Sequence, residues 1–351
     1  MVSEGVSPQA VDFGRVYLKT AYDQGATVAF DTIKDNSKSM SANADTLGNL
    51  KGILKTAAQN GYKTGLVTTE DALKTGAMFY GTTPENVAVA DFGIIAGGGR
   101  ANAGNAAQQI KAVGGTAMMD VEGLNEEPKG KVLALQADHA LTWNLDRDGE
   151  TESGFGELVT LALQTLSADD QPFFLIVHDT LLAKALNAKD TPAALEQFKE
   201  LDGILGDIAG TREGLEKPED FAIAVLTTGG ALSPKFTTEL PNERAEALYI
   251  VSALPMSYAK AGTTLKGADE AKLKDFAANT YKGWMLKDEV RGEIVAGKTM
   301  PESAIRASYE PALRIAFEPA QTGAMVWASN LNLGADVAQS LQTIAATKPA
   351  K

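Results

Sequence analysis

Short apolar runs alternate with longer amphipathic stretches along most of the chain, a pattern typical of parallel α/β units. Apolar residues at helical spacing predict helices at residues 47–57, 155–166, 195–208 and 337–344. Compact apolar runs predict strands at residues 65–68, 92–96, 132–135, 173–177, 221–226 and 324–328. We therefore expect an α/β fold with a mostly parallel central sheet flanked by helices on both faces.

The pattern becomes more helical and less regular between about residues 231 and 318. We interpret this segment as an insertion or cap within one domain of residues 1–351, a length that a large α/β domain can have. No stretch of about 18 apolar residues occurs, so we expect no membrane span. The start, Met1-Val2-Ser3-Glu4, lacks the basic residues and apolar run of a signal peptide.

Composition excludes several classes of function. The net charge of −13 argues against nucleic-acid binding, which depends on basic patches. The chain has no cysteine, so disulfides, thiol catalysis and thiolate metal sites are excluded. Only two histidines occur, His139 and His178, which is too few for a zinc or base mechanism that needs several.

Candidate chemistry gathers where the predicted strands end, because ligands of open α/β sheets bind at the carboxyl ends of the strands. These ends carry Thr68 to Asp71, Gly97 to Arg100, His178 with Asp179, and Thr227 to Gly230. Each has two interpretations. The His178 pair is either a metal position or a hydrogen-bonded strand end. Glu70 and Asp71 are either cation ligands or first-turn acids of a helix, and the glycine run is either an anion cradle or a tight turn.

Several segments, taken in order, resemble the alkaline phosphatases. Residues 61–69 (GYKTGLVTT) are similar to the strand before a magnesium-binding threonine of that family, and residues 92–100 (FGIIAGGGR) resemble its D-V-I-L-G-G-G-R. Further similarities lie at residues 158–177, 198–203 and 222–230. The resemblance covers roughly residues 15 to 335 and implies the same α/β fold. It also implies phosphate monoester hydrolysis by a serine or threonine, assisted by two zinc ions and one magnesium ion.

The positions at which that family holds its catalytic groups carry different side chains here. The resemblance places the nucleophile at Tyr22 or Gln24, neither of which is a serine. Thr69 alone remains as a plausible ligand equivalent. The family's opening strand, with G-D-G-M-G and a bridging aspartate, finds no counterpart before Val11, and the phosphate-clamping arginine is absent.

Four further metal-ligand positions of the family also differ. The magnesium glutamate falls on His178, a zinc aspartate on Ala183, and zinc histidines on Asn187 and Gln321. We therefore expect a non-catalytic protein without catalytic residues, bound metal or cofactor. Its expected role is structural or binding, in the cell envelope or extracellular space, and a self-assembling subunit is one form of that role.

The resemblance further implies a homo-oligomer or an envelope protein partner, and a periplasmic or extracellular bacterial location. Two alternatives remain open. One is a metal-dependent phosphomonoesterase with a rebuilt site, and the other is a binder of anions or small ligands in the vacated cleft. Metal analysis, phosphomonoesterase assays and ligand-induced thermal shifts distinguish these hypotheses.

Overall fold

An eight-stranded sheet forms the centre of the molecule in the part of the chain that the structure describes. The computed structural model describes residues 1–21, 28–33, 48–228, 232–281, 287–319, 326–329 and 336–349. The strands of this sheet are β1 (Val2–Glu4), β2 (Lys63–Asp71), β3 (Ile94–Gly98), β4 (Thr116–Met118), β5 (Val132–Ala137), β6 (Phe173–Asp179), β7 (Ile223–Thr228) and β10 (Val326–Ser329). Their order is β10-β7-β1-β6-β2-β3-β5-β4, and every pairing is parallel except that of β10 with β7.

Helices cover both faces of the sheet. The helices of the described part are α1 (Pro8–Ala21), α2 (Ala29–Thr32), α3 (Ile53–Gln59), α4 (Ala72–Tyr80), α5 (Ala106–Ala112), α6 (Phe155–Leu166), α7 (Leu181–Asn187), α8 (Thr191–Glu213), α9 (Pro241–Ser252), α10 (Tyr258–Thr264), α11 (Glu270–Asp275), α12 (Asp288–Val295), α13 (Pro301–Leu313) and α14 (Val337–Ala346). Alternate residues of β2 enter separate hydrophobic cores. Val67 packs with α1, α6 and α8, whereas Leu66 packs with α3, α4 and α14. The expected α/β class, with its mostly parallel sheet, is confirmed.

A two-stranded ribbon and five helices occupy most of the segment predicted as an insertion. The antiparallel strands β8 (Leu232–Phe236) and β9 (Ile315–Pro319) pair with each other, and α9 to α13 lie between them in the chain. Two carboxylates of the sheet region cap the start of α10: Asp146 accepts from the Ser257 backbone at 2.8 Å, and Asp190 from Ala259 at 3.0 Å. The interpretation of residues 231–318 as a separate insertion stays a prediction.

The first strand corrects the sequence analysis, which found no opening strand before Val11. Strand β1 lies between β6 and β7, with Val2 opposite His178 and Ser3 opposite Asp179 on one side. Val2 faces Leu226 on the other side. Three residues are too few to show a period-two pattern, so periodicity alone could not identify this strand. Glu4 lies at the carboxyl end of this strand.

The glycine run after β3 depends on a close approach of two backbones. A Cβ atom on Gly98 would lie 1.8 Å from the carbonyl oxygen of His139, so only glycine fits without movement of the backbone. The neighbouring Gly99 has φ +98°, which also favours glycine. This contact holds the β3 turn against the segment that follows β5.

We predict that Gly98→Ala destabilises the protein by roughly 2–4 kcal/mol, because the new methyl group forces two backbone segments apart. Gly203→Ala is the matched control, since Gly203 lies within α8 and a Cβ there meets no atom within 4 Å. The control should be neutral or raise the free energy of unfolding by up to about 1 kcal/mol. Urea unfolding curves measure both. Equal midpoints for the two variants would contradict the packing argument.

Candidate active site

The carboxyl ends of β2, β3, β5 and β6 meet at one edge of the sheet and border a cleft of about 560 Å³. The polar and charged side chains on its wall come from separate elements and include Glu70, Asp71, Lys74, Asn102, His139 and His178. This is the convergence of polar groups in a concave site that suits a ligand or a substrate.

Glu70, at the end of β2, is fixed by hydrogen bonds to α7 and its N-terminal flank. Its carboxylate forms an ion pair with Lys184 and accepts a hydrogen bond from the Thr180 hydroxyl. Burial alone would raise the pKa of Glu70, but the hydrogen bonds from Lys184 and Thr180 outweigh burial and lower it below its ordinary value. Glu70 therefore remains ionised, with a cation beside it at the cleft.

Asp71 caps helix α4 and is engaged on both carboxylate oxygens. Oδ1 accepts from the Lys74 backbone at 3.1 Å, and Oδ2 accepts from Asn102 Nδ2 at 2.8 Å. The ammonium group of Lys74 lies 3.3 Å from Oδ2, and its side chain is 64% exposed. These contacts favour the interpretation of Asp71 as a helix-capping acid.

His178 is a buried side chain that reaches the cleft from the end of β6. Its Nδ1 lies 3.0 Å from the Thr68 hydroxyl, and its ring packs edge-on against Phe79 with centroids 6.0 Å apart. Its Nε2 has no hydrogen-bond partner among the described residues. The nearest carboxylate oxygen recorded for Nε2 is Glu4 Oε1 at 3.7 Å, which is longer than a hydrogen bond.

Asp179 lies behind His178 and is fully buried. The carboxylate accepts from the Ser3 hydroxyl at 3.2 Å and from the backbone N–H groups of Leu181 and Leu182 at 3.1 and 3.4 Å. Burial nevertheless outweighs these hydrogen bonds and raises the pKa of Asp179 to about 6. Asp179 thus links β1, β6 and the start of α7 behind the cleft.

The glycine run at Gly97 to Arg100 uses its backbone donors within the fold. Gly99 N–H donates to the His139 carbonyl at 2.6 Å, and Ala101 N–H donates to Asp138 at 3.1 Å. Arg100 Nε donates to the Asp138 carboxylate at 2.8 Å. These contacts favour a tight turn over an anion cradle.

The residues predicted at the family's catalytic positions have structural contacts where the structure describes them. Thr69 Oγ1 accepts from the Thr180 backbone at 3.0 Å. Ala183 is buried, and its backbone lies so near Gly5 that a Cβ on that glycine would come within 2.8 Å. Asn187 Oδ1 accepts from the Leu232 backbone at 3.0 Å and so holds the start of β8. Tyr22, Gln24 and Gln321 lie outside the described residues.

The described side chains do not fit a complete metal centre of the kind that the resemblance implies. No group of three or more histidine, aspartate or glutamate side chains is placed to hold a metal within the ranges that the structure describes. Glu4 and His178 together offer two donors, whereas a catalytic zinc site takes three protein ligands. Two features of this pair remain: the 3.7 Å between Glu4 Oε1 and His178 Nε2, and the burial of Nε2 without a hydrogen-bond partner among the described residues.

The sequence analysis missed four side chains that shape the site: Glu4, Lys74, Asn102 and Lys184. Lys74 and Lys184 lie on helices that follow β2 and β6, within a few residues of the strand ends. Their position shortly after a strand end could have predicted that they lie near the site. No such signal exists for Asn102 and Glu4, because only tertiary packing brings Asn102 to the cleft and Glu4 beside His178.

Comparisons with known proteins confirm the resemblance to the alkaline phosphatases. Alkaline phosphatase 4 of Bacillus subtilis (strain 168) is 23% identical over 295 residues, a match that covers 70% of this chain and 64% of that protein. The structure of a cold-active alkaline phosphatase from the psychrophile Shewanella sp. matches with a TM-score of 0.76 at 18% identity and covers 98% of both chains. Thermus thermophilus alkaline phosphatase matches with a TM-score of 0.76 at 15% identity, over 100% of this chain and 91% of that one. No protein-family model matches.

These relatives contradict the expectation of a non-catalytic protein with a structural or binding role. The sequence relative is a named alkaline phosphatase, and alkaline phosphatases share the fold over almost the whole chain. The expectation rested on the side chains at the family's catalytic positions alone, and the named activity of the relatives overturns it. Within the described residues, no helix has the length and apolar composition needed to cross a membrane.

We predict that Asp179→Asn changes how stability depends on pH. The pKa of Asp179 is raised above the ordinary 3.8, so the folded protein binds this proton more tightly than the unfolded chain does. Its contribution to stability therefore falls as the pH rises from about 4 to about 6. Asp179→Asn should gain up to ~3 kcal/mol relative to the parent across that window.

Urea unfolding between about pH 4 and pH 7 measures this gain. Asp207→Asn is the control, because Asp207 is exposed on α8 and lies outside the buried hydrogen bonds of Asp179. A gain for Asp179→Asn that stays constant across the window would contradict the assignment of a raised pKa to this group.

Proposed function

We propose that this chain is an enzyme that hydrolyses phosphate monoesters in the cleft at the carboxyl edge of its sheet. The observation that carries the proposal is the position of this cleft. It gathers Glu70 and His178 from strand ends, and Lys74 from α4, in a fold that two alkaline phosphatases share. The named activity of the Bacillus subtilis relative supports it, and that relative matches 70% of the chain.

Two lysines supply the positive charge that a phosphoryl group needs. Lys184 is 45% exposed and pairs with Glu70, and Lys74 is 64% exposed and pairs with Asp71. The carboxylates are less exposed than the lysines, 31% for Glu70 and 11% for Asp71. Each keeps another hydrogen bond, from the Thr180 hydroxyl or from Asn102 Nδ2, when its ammonium group turns to a phosphate oxygen. We assign to both lysines the role of binding and orienting the phosphoryl group.

Glu4 supplies a carboxylate at the carboxyl end of β1. Its side chain is 35% exposed, and its Oε1 lies 3.7 Å from His178 Nε2. Unlike Glu70 and Asp71, Glu4 is not held by a lysine in the described part of the structure, and its carboxylate lies beside His178, which lines the cleft. We assign to Glu4 the acceptance or positioning of a proton during hydrolysis.

We further propose a homo-oligomer in a periplasmic or extracellular bacterial location, without nucleic-acid partners. The resemblance supports the first two points, and the net charge of −13 supports the last.

We predict that the purified chain hydrolyses p-nitrophenyl phosphate and that Glu4→Gln lowers kcat/KM by roughly tenfold or more, because the substitution removes the charge from this carboxylate. Glu219→Gln is the matched control, since Glu219 is exposed in the short 3-10 helix Pro218–Asp220, which precedes β7 and so lies at the end of that strand opposite to its carboxyl end. Assays run with added zinc and magnesium and after treatment with a chelator, so that metal dependence is measured directly.

Absence of hydrolysis under every one of these conditions would overturn the proposed function. Equal rates for the parent and Glu4→Gln, prepared in the same way, would assign the activity to a contaminant or to another part of the chain. Mass in solution, measured by light scattering, tests the oligomer. A monomer at all concentrations would reject that part of the proposal.

A further inference from the structure

Thr68 and His178 form a buried pair behind the cleft, opposite each other on the parallel strands β2 and β6. Thr68 is fully buried and His178 is 4% exposed. The Thr68 hydroxyl lies 3.0 Å from His178 Nδ1 and also accepts a hydrogen bond from the Glu70 backbone at 3.1 Å. The second ring nitrogen, Nε2, has no partner in the described part of the chain and belongs to a residue that lines the cleft.

The count of donors and acceptors assigns the proton on the imidazole ring. The Thr68 oxygen has one hydrogen to donate, and a buried hydroxyl that donates to nothing costs free energy. Among the described residues, the acceptor within reach of that hydrogen is His178 Nδ1. In a neutral ring the nitrogen that accepts is bare and the other carries the proton, so the proton lies on Nε2.

A protonated Nε2 explains the features of the site that the metal-centre interpretation leaves open. A nitrogen that carries a proton has no lone pair for a metal ion, whereas a metal-bound histidine donates its other N–H to an acceptor such as a carboxylate or a carbonyl. Here the group at the other nitrogen is a hydroxyl that has to donate its own hydrogen. The Nε2–H group instead lies near the Glu4 carboxylate, 3.7 Å from Oε1.

We propose that His178 acts in this cleft as a hydrogen-bond donor through Nε2–H, that its ligand is an anionic oxygen of a phosphoryl group, and that Thr68 is the positioning residue that fixes this tautomer. The proposal rests on the phosphatase function proposed above. The Phe79 ring packs edge-on against the imidazole and restricts its rotation, and His178 lines the cleft. Lys74 and Lys184 provide the charge, and His178 provides a directional contact.

Nitrogen-15 NMR of the full chain tests the tautomer without any assay of activity. The chain has two histidines, so comparison with His139→Gln assigns both sets of ring signals. At about pH 8.5, where an ordinary imidazole is neutral, we expect the His178 Nε2 signal in the protonated range and Nδ1 in the bare range. A proton found on Nδ1 would overturn the proposal.

Additions to the same sample test the ligand. Inorganic phosphate should shift the His178 Nε2 signal in a saturable way, whereas zinc should leave its proton in place. No response of this signal to phosphate, or loss of the Nε2 proton on addition of zinc, would each reject the proposal.

Substitution of Thr68 tests its positioning role. In Thr68→Val the tautomer is no longer fixed, and we expect the dissociation constant for inorganic phosphate to rise about tenfold. Thr68→Ser keeps the hydroxyl and should restore the parent value. The matched control is Thr165→Val, because Thr165 is also buried and its hydroxyl donates to the Leu161 carbonyl within α6, away from the cleft.

The results separate this inference from the proposed function. Phosphate binding at Nε2 without ester hydrolysis would reject the enzyme and keep the inference. Hydrolysis by a chain whose His178 carries the proton on Nδ1 would reject the inference and keep the enzyme. If Thr68→Val does not fold, the spectra of the parent and of Thr68→Ser still decide the tautomer. Equal phosphate affinity for folded Thr68→Val and Thr165→Val would contradict the positioning role.

Discussion

The pairing of the three-residue strand β1 between β6 and β7 determines the geometry of the cleft. Its register sets Val2 opposite His178 and Ser3 opposite Asp179. Glu4 then follows at the carboxyl edge, where its carboxylate meets the imidazole. Because side chains alternate between the two faces of a sheet, a slip of one residue would remove Glu4 from this position. The contact between two residues far apart in sequence therefore depends on backbone pairing.

Buried polar groups maintain that register. The Ser3 hydroxyl bonds the Asp179 carboxylate across the β1–β6 pair, and the same carboxylate accepts two backbone N–H groups at the start of α7. Burial raises the pKa of Asp179, so the fold bears a cost for the ionised form that these hydrogen bonds only partly offset. The same hydrogen bonds orient α7, which carries Lys184 to Glu70. The Asp179 carboxylate therefore affects both the stability of the β1–β6 pairing and the position of Lys184 beside Glu70.

The parts of the fold with long, regular patterns could be predicted from the sequence. Helix α6 has the predicted bounds of residues 155–166, and β6 contains the predicted run at 173–177, because each has enough residues for periodicity or apolar content to be read. Strand β1 has only three residues, and β4 likewise, so neither gave a readable pattern. His178 was identified at a strand end. Its contacts with Thr68 and Glu4 arise from sheet order, which a single sequence does not specify.

Residue-by-residue transfer from a family and the geometry of the folded chain gave different answers about function. Ala183 and Asn187 cannot ligate zinc as aspartate or histidine would, and that observation stands. It describes two positions, whereas chemistry depends on every group that faces the cleft. Lys74 is such a group, and Glu4 and Lys184 contact the cleft-lining residues His178 and Glu70.

The contacts of His178 also differ from those that the resemblance to the alkaline phosphatases implies, and this difference has a physical cause. With a hydroxyl donating to Nδ1, His178 offers the cleft a proton on Nε2. Lysine ammonium groups and an imidazole N–H bind phosphate oxygens by charge and hydrogen bonding, which are the interactions that stabilise charge in phosphoryl transfer. Under the proposed function, hydrolysis by this chain therefore depends on how well the residues around Glu4 and His178 stabilise the phosphoryl group.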